Sequence, residues 1–303
     1  MNNTEKRPYE ILEKYVTMSA DEFVSYDVEK DCIDQNTGSD YKADVSIEAM
    51  TIAESAYSPT FRDFFDNGTW NLVPQKTMTV NGQNGQKIVL NKEKLKYEFV
   101  YRKVVEKDYS LRGDTMNTAT ITNAEYRKLN NTEELPDEAY GLMDLYHTAG
   151  NFFLVPYKNG HSLTLSRRET GPSRGYFDLF LLAVYNFFSG KTDYTGSLAS
   201  VLKDEGLADF YKRYLTERFV TNNVLSWDKY IEINYLQDYV EGSKENGYGG
   251  PIELWPGHFT GKVMPQTEEE FILFYNNAAD RIRKRGKRIY LVLKKKMTNI
   301  AKM

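Results

Sequence analysis

The stretch Asp144–Gly190 reads DLYHTAGNFFLVPYKNGHSLTLSRRETGPSRGYFDLFLLAVYNFFSG, and it holds the most apolar segment of the 303-residue chain. Within it, residues 176–188 read YFDLFLLAVYNFF, where only Asp178 and Asn186 are clearly polar. An apolar run of this length favours a buried helix over a strand. It is also shorter than the roughly 20 apolar residues that span a bilayer. The stretch therefore predicts a central, buried helix.

The residues before this run predict where the helix begins and what could bind there. Ser173 is a good N-cap and follows a glycine and a proline, so we expect the helix to start near Ser173. The first turn of a helix carries free N–H groups and a partial positive charge. Arg167, Arg168 and Arg174 lie beside that turn in the sequence. Together with Ser173 they predict an anion-binding site.

A purely structural interpretation of the same residues stays open. Arg174 precedes Asp178 by one helical turn, so the two side chains can form an ion pair while the other arginines are solvated. Asp178 lies in a strongly apolar helix, where a carboxylate must be paired or placed at the helix end. Near the N-terminus of the helix, the Asp178 carboxylate also complements the helix dipole.

A second polar motif opens the stretch. His147 and Asn151 flank a turn that leads into an apolar run ending before Pro156, a pattern typical of a turn and a strand. Histidine titrates near neutral pH, so His147 is the candidate general acid or base, with Asp178 orienting it or an arginine. Asn151 is a candidate ligand-binding residue, and the alternative for His147 is a hydrogen-bonded structural role.

Composition excludes several classes of site. The single Cys32 excludes an internal disulfide and, with only three histidines, argues against a Cys/His zinc site. We therefore expect no metal and no cofactor. The N-terminus MNNTEKRPYE is polar and charged and lacks a signal pattern. These features predict a cytoplasmic protein without a membrane partner.

Charge is unevenly distributed along the chain. Residues 281–303 contain ten Lys and Arg and no acidic residue, whereas the formal net charge of the whole chain is −4. We expect a single domain over residues 1–303 with a basic C-terminal tail at 281–303. The tail can fold back on the acidic body, form a solvated helix end, or bind nucleic acid or another partner, and the sequence leaves these alternatives open.

The order of local patterns predicts the fold class. Asn-Gly pairs at 81–82 and 84–85 separate β-favouring runs, which is typical of an antiparallel hairpin. Helical patterns dominate later, and Thr267 with Glu270 forms a capping-box pattern at the start of the last helix. We therefore predict an α+β protein. Its antiparallel, β-rich N-terminal half (about 70–125) would pack with a mainly helical C-terminal half (about 173–290).

Short segments along most of the chain carry a resemblance. They are SPTFR at 58–62, LRGDTM at 111–116, YHTAGN at 146–151, Arg168, YFDL at 176–179, YLQD at 235–238 and the final helix ending at 283–289. This set resembles an uncharacterised bacterial family catalogued as a domain of unknown function. The resemblance implies one continuous domain, and it implies no activity.

The resulting functional hypothesis is that the protein binds or processes an anionic ligand, such as a nucleotide or an RNA phosphate, at a His/Arg cluster. The alternative is a non-enzymatic interaction or regulatory protein, for example in phage–host conflict. Oligomeric state stays open.

Overall fold

The computed structural model describes residues 12–28, 30, 68–74, 79–81, 87–89, 95–101, 110–158, 161–162, 176–191, 209–262 and 264–300. The helices among them are α1 (residues 12–17), α2 (Ala20–Ser25), α3 (Thr120–Asn130), α4 (Asp137–Met143), α5 (Phe177–Phe188), α6 (Asp209–Arg218), α7 (Trp227–Asn234) and α8 (Glu268–Ile300). Short 3-10 turns occur at Ala149–Asn151, Gln237–Tyr239 and His258–Thr260.

The strands form short antiparallel groups. They are β1 (Gly68–Pro74), β2 (Thr79–Asn81), β3 (Lys87–Val89), β4 (Leu95–Tyr101), β5 (Ser110–Thr115), β6 (Phe152–Lys158), β7 (His161–Ser162), β8 (Val220–Thr221), β9 (Val224–Leu225), β10 (Val240–Ser243) and β11 (Gly247–Pro251). One sheet has the order β1-β4-β5-β6-β7, and the other strands pair as β2-β3, β8-β9 and β10-β11.

The structure contains the two strands of the hairpin that the Asn-Gly pairs predict. β2 and β3 are antiparallel, with Asn81 opposite Lys87. The turn between them lies outside the described residues.

The predicted division into a β-rich and a helical half is wrong. Helical residues outnumber strand residues in the described chain, and strands occur on both sides of α5. Helix α3 begins inside the range expected to be β, and the hairpins β8-β9 and β10-β11 lie inside the range expected to be helical. Threonine favours strands locally, but tertiary packing overrides that preference here. The Thr122 hydroxyl bonds the Tyr176 hydroxyl at 3.0 Å, and Tyr126 packs edge-on against Phe271.

The longest element is α8, which forms one wall of two apolar clusters. Its start agrees with the sequence pattern, because the Glu270 N–H donates to Thr267 Oγ1 at 3.3 Å. The N-terminal part packs with α3, α4 and α5, through residues such as Phe274 and Ala278. The C-terminal part packs with α1 and α2, through Ile289 and Leu293. Residues 281–300 are thus a packed, amphipathic helix in the described chain.

Helix α5 is buried, as its composition predicts, and lies between the cluster at the N-terminal part of α8 and a third apolar cluster. Phe177 and Leu181 face a cluster with α6 and α7, whereas Leu179 and Ala183 face the cluster with α8. The helix begins later than expected, because Tyr176 has extended backbone angles and is the N-cap. Ser173 lies outside the described residues.

None of the helices in the described part of the chain combines the length and the apolar character that a membrane span requires.

The 3-10 turn Ala149–Asn151 packs so closely on α8 that only glycine fits at position 150. A Cβ on Gly150 would lie 2.2 Å from the carbonyl oxygen of Ile282 and 3.1 Å from the nitrogen of Gly286. Gly150→Ala should therefore lower the free energy of unfolding by about 1–3 kcal/mol, since backbone must move to admit the methyl group. Urea denaturation measures this loss.

Gly141→Ala is the matched control for that experiment. Gly141 lies within α4, and a Cβ there would meet only the Arg283 side chain, at 3.9 Å. Because alanine is a better helix former than glycine, the control should gain about 0.5–1 kcal/mol. Equal stability of the two variants would contradict the close packing of Gly150.

Candidate functional site

A surface cleft of about 620 Å³ lies where three parts of the chain meet. One wall is the segment that ends α2 and follows it, including Ser25 and Asp27. A second wall is Gly141–His147, which comprises the end of α4 and the loop after it, and Arg283 of α8 completes the lining. The volume is within the range of small-molecule sites in proteins.

The lining of this cleft contains charged groups of both signs. Among the described residues of the lining, the cations are Lys30 and Arg283, the carboxylates are Asp27 and Asp144, and the histidine is His147. Tyr146 also lines the cleft; burial raises the pKa of this phenol, and a hydrogen bond from the Ala119 N–H opposes the effect. Tyr146 is therefore neutral at physiological pH, and the five other groups set the local charge.

Arg283 differs from the other cations at positions 281–288 of α8. Those others are engaged within the protein. They are Arg281 and Arg285, which donate to backbone carbonyl groups, and Lys284, Lys287 and Arg288, which pair with Asp280, Asp21 and Asp238. Arg283 is exposed and forms no hydrogen bond or ion pair with the part of the chain that the structure describes. Its guanidinium lies beside Gly141 and faces the cleft.

His147, the predicted acid or base, is a cleft residue. Its side chain is 25% exposed, and its Nδ1 lies 4.0 Å from Oδ1 of Asp27. The backbone fixes this arrangement, because the Val28 N–H donates to the carbonyl oxygen of His147 at 2.9 Å. The loop after α4 and the segment after α2 are thereby held together at the cleft wall.

Asn151, on the same loop, is turned away into the protein body. Its Oδ1 accepts the Asn117 N–H at 3.0 Å, and its Nδ2 donates to the carbonyl groups of Asn117 and Tyr146 at 3.1 Å. The side chain is fully buried. These bonds position the loop that carries His147, and the ligand-binding role of Asn151 stays a prediction.

Asp178 pairs with a histidine, but that histidine is His258. Oδ2 of Asp178 lies 2.6 Å from Nδ1 of His258 and accepts the Leu254 N–H at 3.0 Å. Burial lowers the pKa of the nearby Arg281, and the Asp178 carboxylate opposes this shift. Oδ2 of Asp178 thus has two partners, whereas Oδ1 of Asp178 and Nε2 of His258 are buried without a hydrogen-bond partner in the part of the chain that the structure describes.

The Asp178–His258 pair is sealed inside the apolar core. Both side chains are at most 1% exposed. Trp255 stacks on His258 with ring centroids 3.6 Å apart, and Tyr176 packs edge-on against it. Asp178 does not line the cleft, so the structure brings only His147 of the two predicted catalytic residues to it. Their catalytic roles stay predictions.

The remaining predicted ligand-binding residues, Arg167, Arg168, Ser173 and Arg174, lie outside the described residues, and their roles stay predictions as well. Among the residues that are described, no cluster of three or more His, Cys, Asp or Glu side chains could hold a metal ion.

Sequence patterns missed most of the cleft. Asp27 and Lys30 belong to a polar segment far from His147 in the chain, and no spacing rule connects them. Arg283 lies in the basic stretch, but only the packing of α8 shows that it faces the cleft while the neighbouring cations bond carbonyl groups or carboxylates. A signal for His258 was present in the aromatic sequence Trp255-Pro256-Gly257-His258, although nothing linked it to Asp178.

Comparison with known proteins places the chain in a family. No curated protein and no solved structure matches the chain. A family model, described as a family of unknown function, matches residues 71–289 and so covers most of the sequence. The resemblance to an uncharacterised family is thereby confirmed for the segments that lie within residues 71–289, and the segment at 58–62 lies outside the match. The chain belongs to this family of unknown function, DUF6994.

Proposed function

We propose that this protein binds a small phosphate-bearing anion, such as a nucleotide, in the cleft between α2, α4 and α8. The observation that carries the proposal is Arg283. It is the cation of residues 281–288 whose guanidinium faces the cleft without a hydrogen bond or ion pair to any described residue.

The chemistry of the cleft fits this ligand. A guanidinium presents a planar fork of donors that matches phosphate oxygens, and each such charge-assisted contact is strong. Lys30 adds a second exposed cation in the same lining. The volume of about 620 Å³ suits a single nucleotide or a chain end of RNA better than a duplex.

His147 gives the cleft an imidazole, whose ring nitrogens can donate or accept a proton. When protonated, it adds a positive charge for a phosphate; when neutral, it can accept a proton from a ligand. A loss of turnover with binding retained in His147→Gln would make the protein an enzyme, and unchanged binding without any turnover would make it a binding module.

The direct test is calorimetric titration of the wild type and Arg283→Met with adenosine 5′-monophosphate, uridine 5′-monophosphate and ribose 5-phosphate. Loss of a charge-assisted phosphate contact costs about 1.5–3 kcal/mol. Binding should therefore weaken about 10- to 150-fold in the variant.

Lys284→Met is the matched control, because it removes the same charge from the next position of α8. Lys284 pairs with Asp280 and does not line the cleft, so its loss should leave affinity nearly unchanged. Equal weakening of binding in both variants would mean that the loss of affinity comes from the overall charge of the helix and not from a contact in the cleft. If the wild type binds none of the three compounds, the proposed function is wrong.

A further inference from the structure

The balance of charge in the cleft restricts the ligand further than a phosphate group does. Among the described residues that line the cleft, Lys30 and Arg283 are opposed by Asp27 and Asp144, so these four groups sum to zero formal charge. A bare phosphate would gain from the cations and lose against the carboxylates. A ligand that fits the whole lining must also donate hydrogen bonds to the carboxylates.

Asp27 is the lining carboxylate whose backbone the fold holds in place. Its side chain is 34% exposed and lies 4.0 Å from His147. Its backbone carbonyl accepts the Lys30 N–H at 3.2 Å, and the next residue is bonded to the carbonyl of His147. A backbone fixed in this way loses little freedom when a ligand binds. Asp144, in contrast, is an exposed residue at the end of α4.

The cation proposed to bind the phosphate and the carboxylate of Asp27 lie on different elements of the cleft. Arg283 projects from α8 beside Gly141 of α4, whereas Asp27 follows α2 beside His147. A ligand that reaches both needs an anionic group and a separate set of donors. Hydroxyl groups of a sugar are such donors, and a carboxylate that accepts from ribose hydroxyls is a recurrent solution in nucleotide sites.

We infer that Asp27 recognises hydroxyl groups of the ligand, so the cleft selects phosphate monoesters of sugars over inorganic phosphate. This inference rests on the proposed function, and it names the ligand class of the same site. Arg283 holds the phosphate, and Asp27, which lies beside His147, accepts from the hydroxyls.

The test compares ligands on the wild-type protein before any variant is needed. Calorimetric titration with adenosine 5′-monophosphate and its 2′,3′-dideoxy analogue isolates the hydroxyls, and O-phosphoethanolamine replaces them with an amine. We expect the dideoxy compound to bind at least about tenfold more weakly than the nucleotide. Equal affinities, or preferential binding of O-phosphoethanolamine, would overturn the inference while leaving the phosphate site intact.

Asp27→Asn then assigns the effect to one residue. The difference between the nucleotide and its dideoxy analogue should largely disappear in this variant. Asp21→Asn is the control, because Asp21 is an exposed carboxylate of α2 that pairs with Lys287 and does not line the cleft. If only Asp144→Asn abolishes the difference, the assignment to Asp27 is wrong. If no phosphate compound binds the wild type, the proposed function fails first.

Discussion

Replacing Arg285 with methionine should lower the free energy of unfolding by about 3–5 kcal/mol. The Arg285 side chain is fully buried, and its guanidinium bonds three backbone carbonyl groups, those of Asn234, Gly150 and Phe152, at 2.7–3.0 Å. Methionine fills much of the volume but donates no hydrogen bond. The carbonyl groups then lose their charged donor inside the protein, where each unsatisfied group costs about 1–3 kcal/mol.

Arg283→Met is the matched control, since it makes the same substitution two residues earlier in α8. Arg283 is exposed and has no described partner, so its loss should change stability by less than about 0.5 kcal/mol. Urea denaturation with an unchanged m-value separates the two variants. A loss below about 1 kcal/mol for Arg285→Met would mean that the turn at Gly150 is held on α8 by packing alone.

The second large effect is expected at Leu181 of α5. Leu181 is fully buried in the cluster shared with α6 and α7. Leu181→Ala leaves a cavity in a closely packed region, and such substitutions cost about 2–5 kcal/mol. Thermal or urea unfolding of the variant measures the loss.

Its neighbour Leu182 provides the control. Leu182 is only partly buried and packs at the edge of the other cluster. Leu182→Ala removes the same atoms and should cost clearly less, about 1–2 kcal/mol. If the two variants lose the same stability, the difference in burial between Leu181 and Leu182 that the structure shows would be contradicted.

Local sequence signals predicted those features of the fold that are settled by neighbouring residues. The apolar run at 176–188 predicted a buried helix, because a run of this length favours a helix over a strand. Thr267 and Glu270 predicted the start of α8, since capping is a contact within one turn. The Asn-Gly pairs predicted the β2-β3 pairing for the same reason.

The division of the chain into strands and helices could not be predicted from neighbouring residues alone. Thr120 and Thr122 belong to a segment that favours strands by local preference, yet they lie in α3. The helical conformation of this segment depends on its contacts with Tyr176, Phe271 and Tyr275, which are distant in the chain. Long-range packing contributes more free energy here than the small difference in local preference.

The candidate site shows the same limit. By itself, the sequence identified His147 as a titratable residue at a turn, placed Asp178 where it needed a partner, and marked 281–303 as basic. Only the tertiary structure gave Asp178 the partner His258, turned Asn151 into the body, and left Arg283 facing a cleft with Asp27 and Lys30. Residue type and spacing fix which groups can ionise or bond. Which of them meet depends on how elements far apart in the chain pack, because side-chain hydrogen bonds and ion pairs act over only a few ångströms.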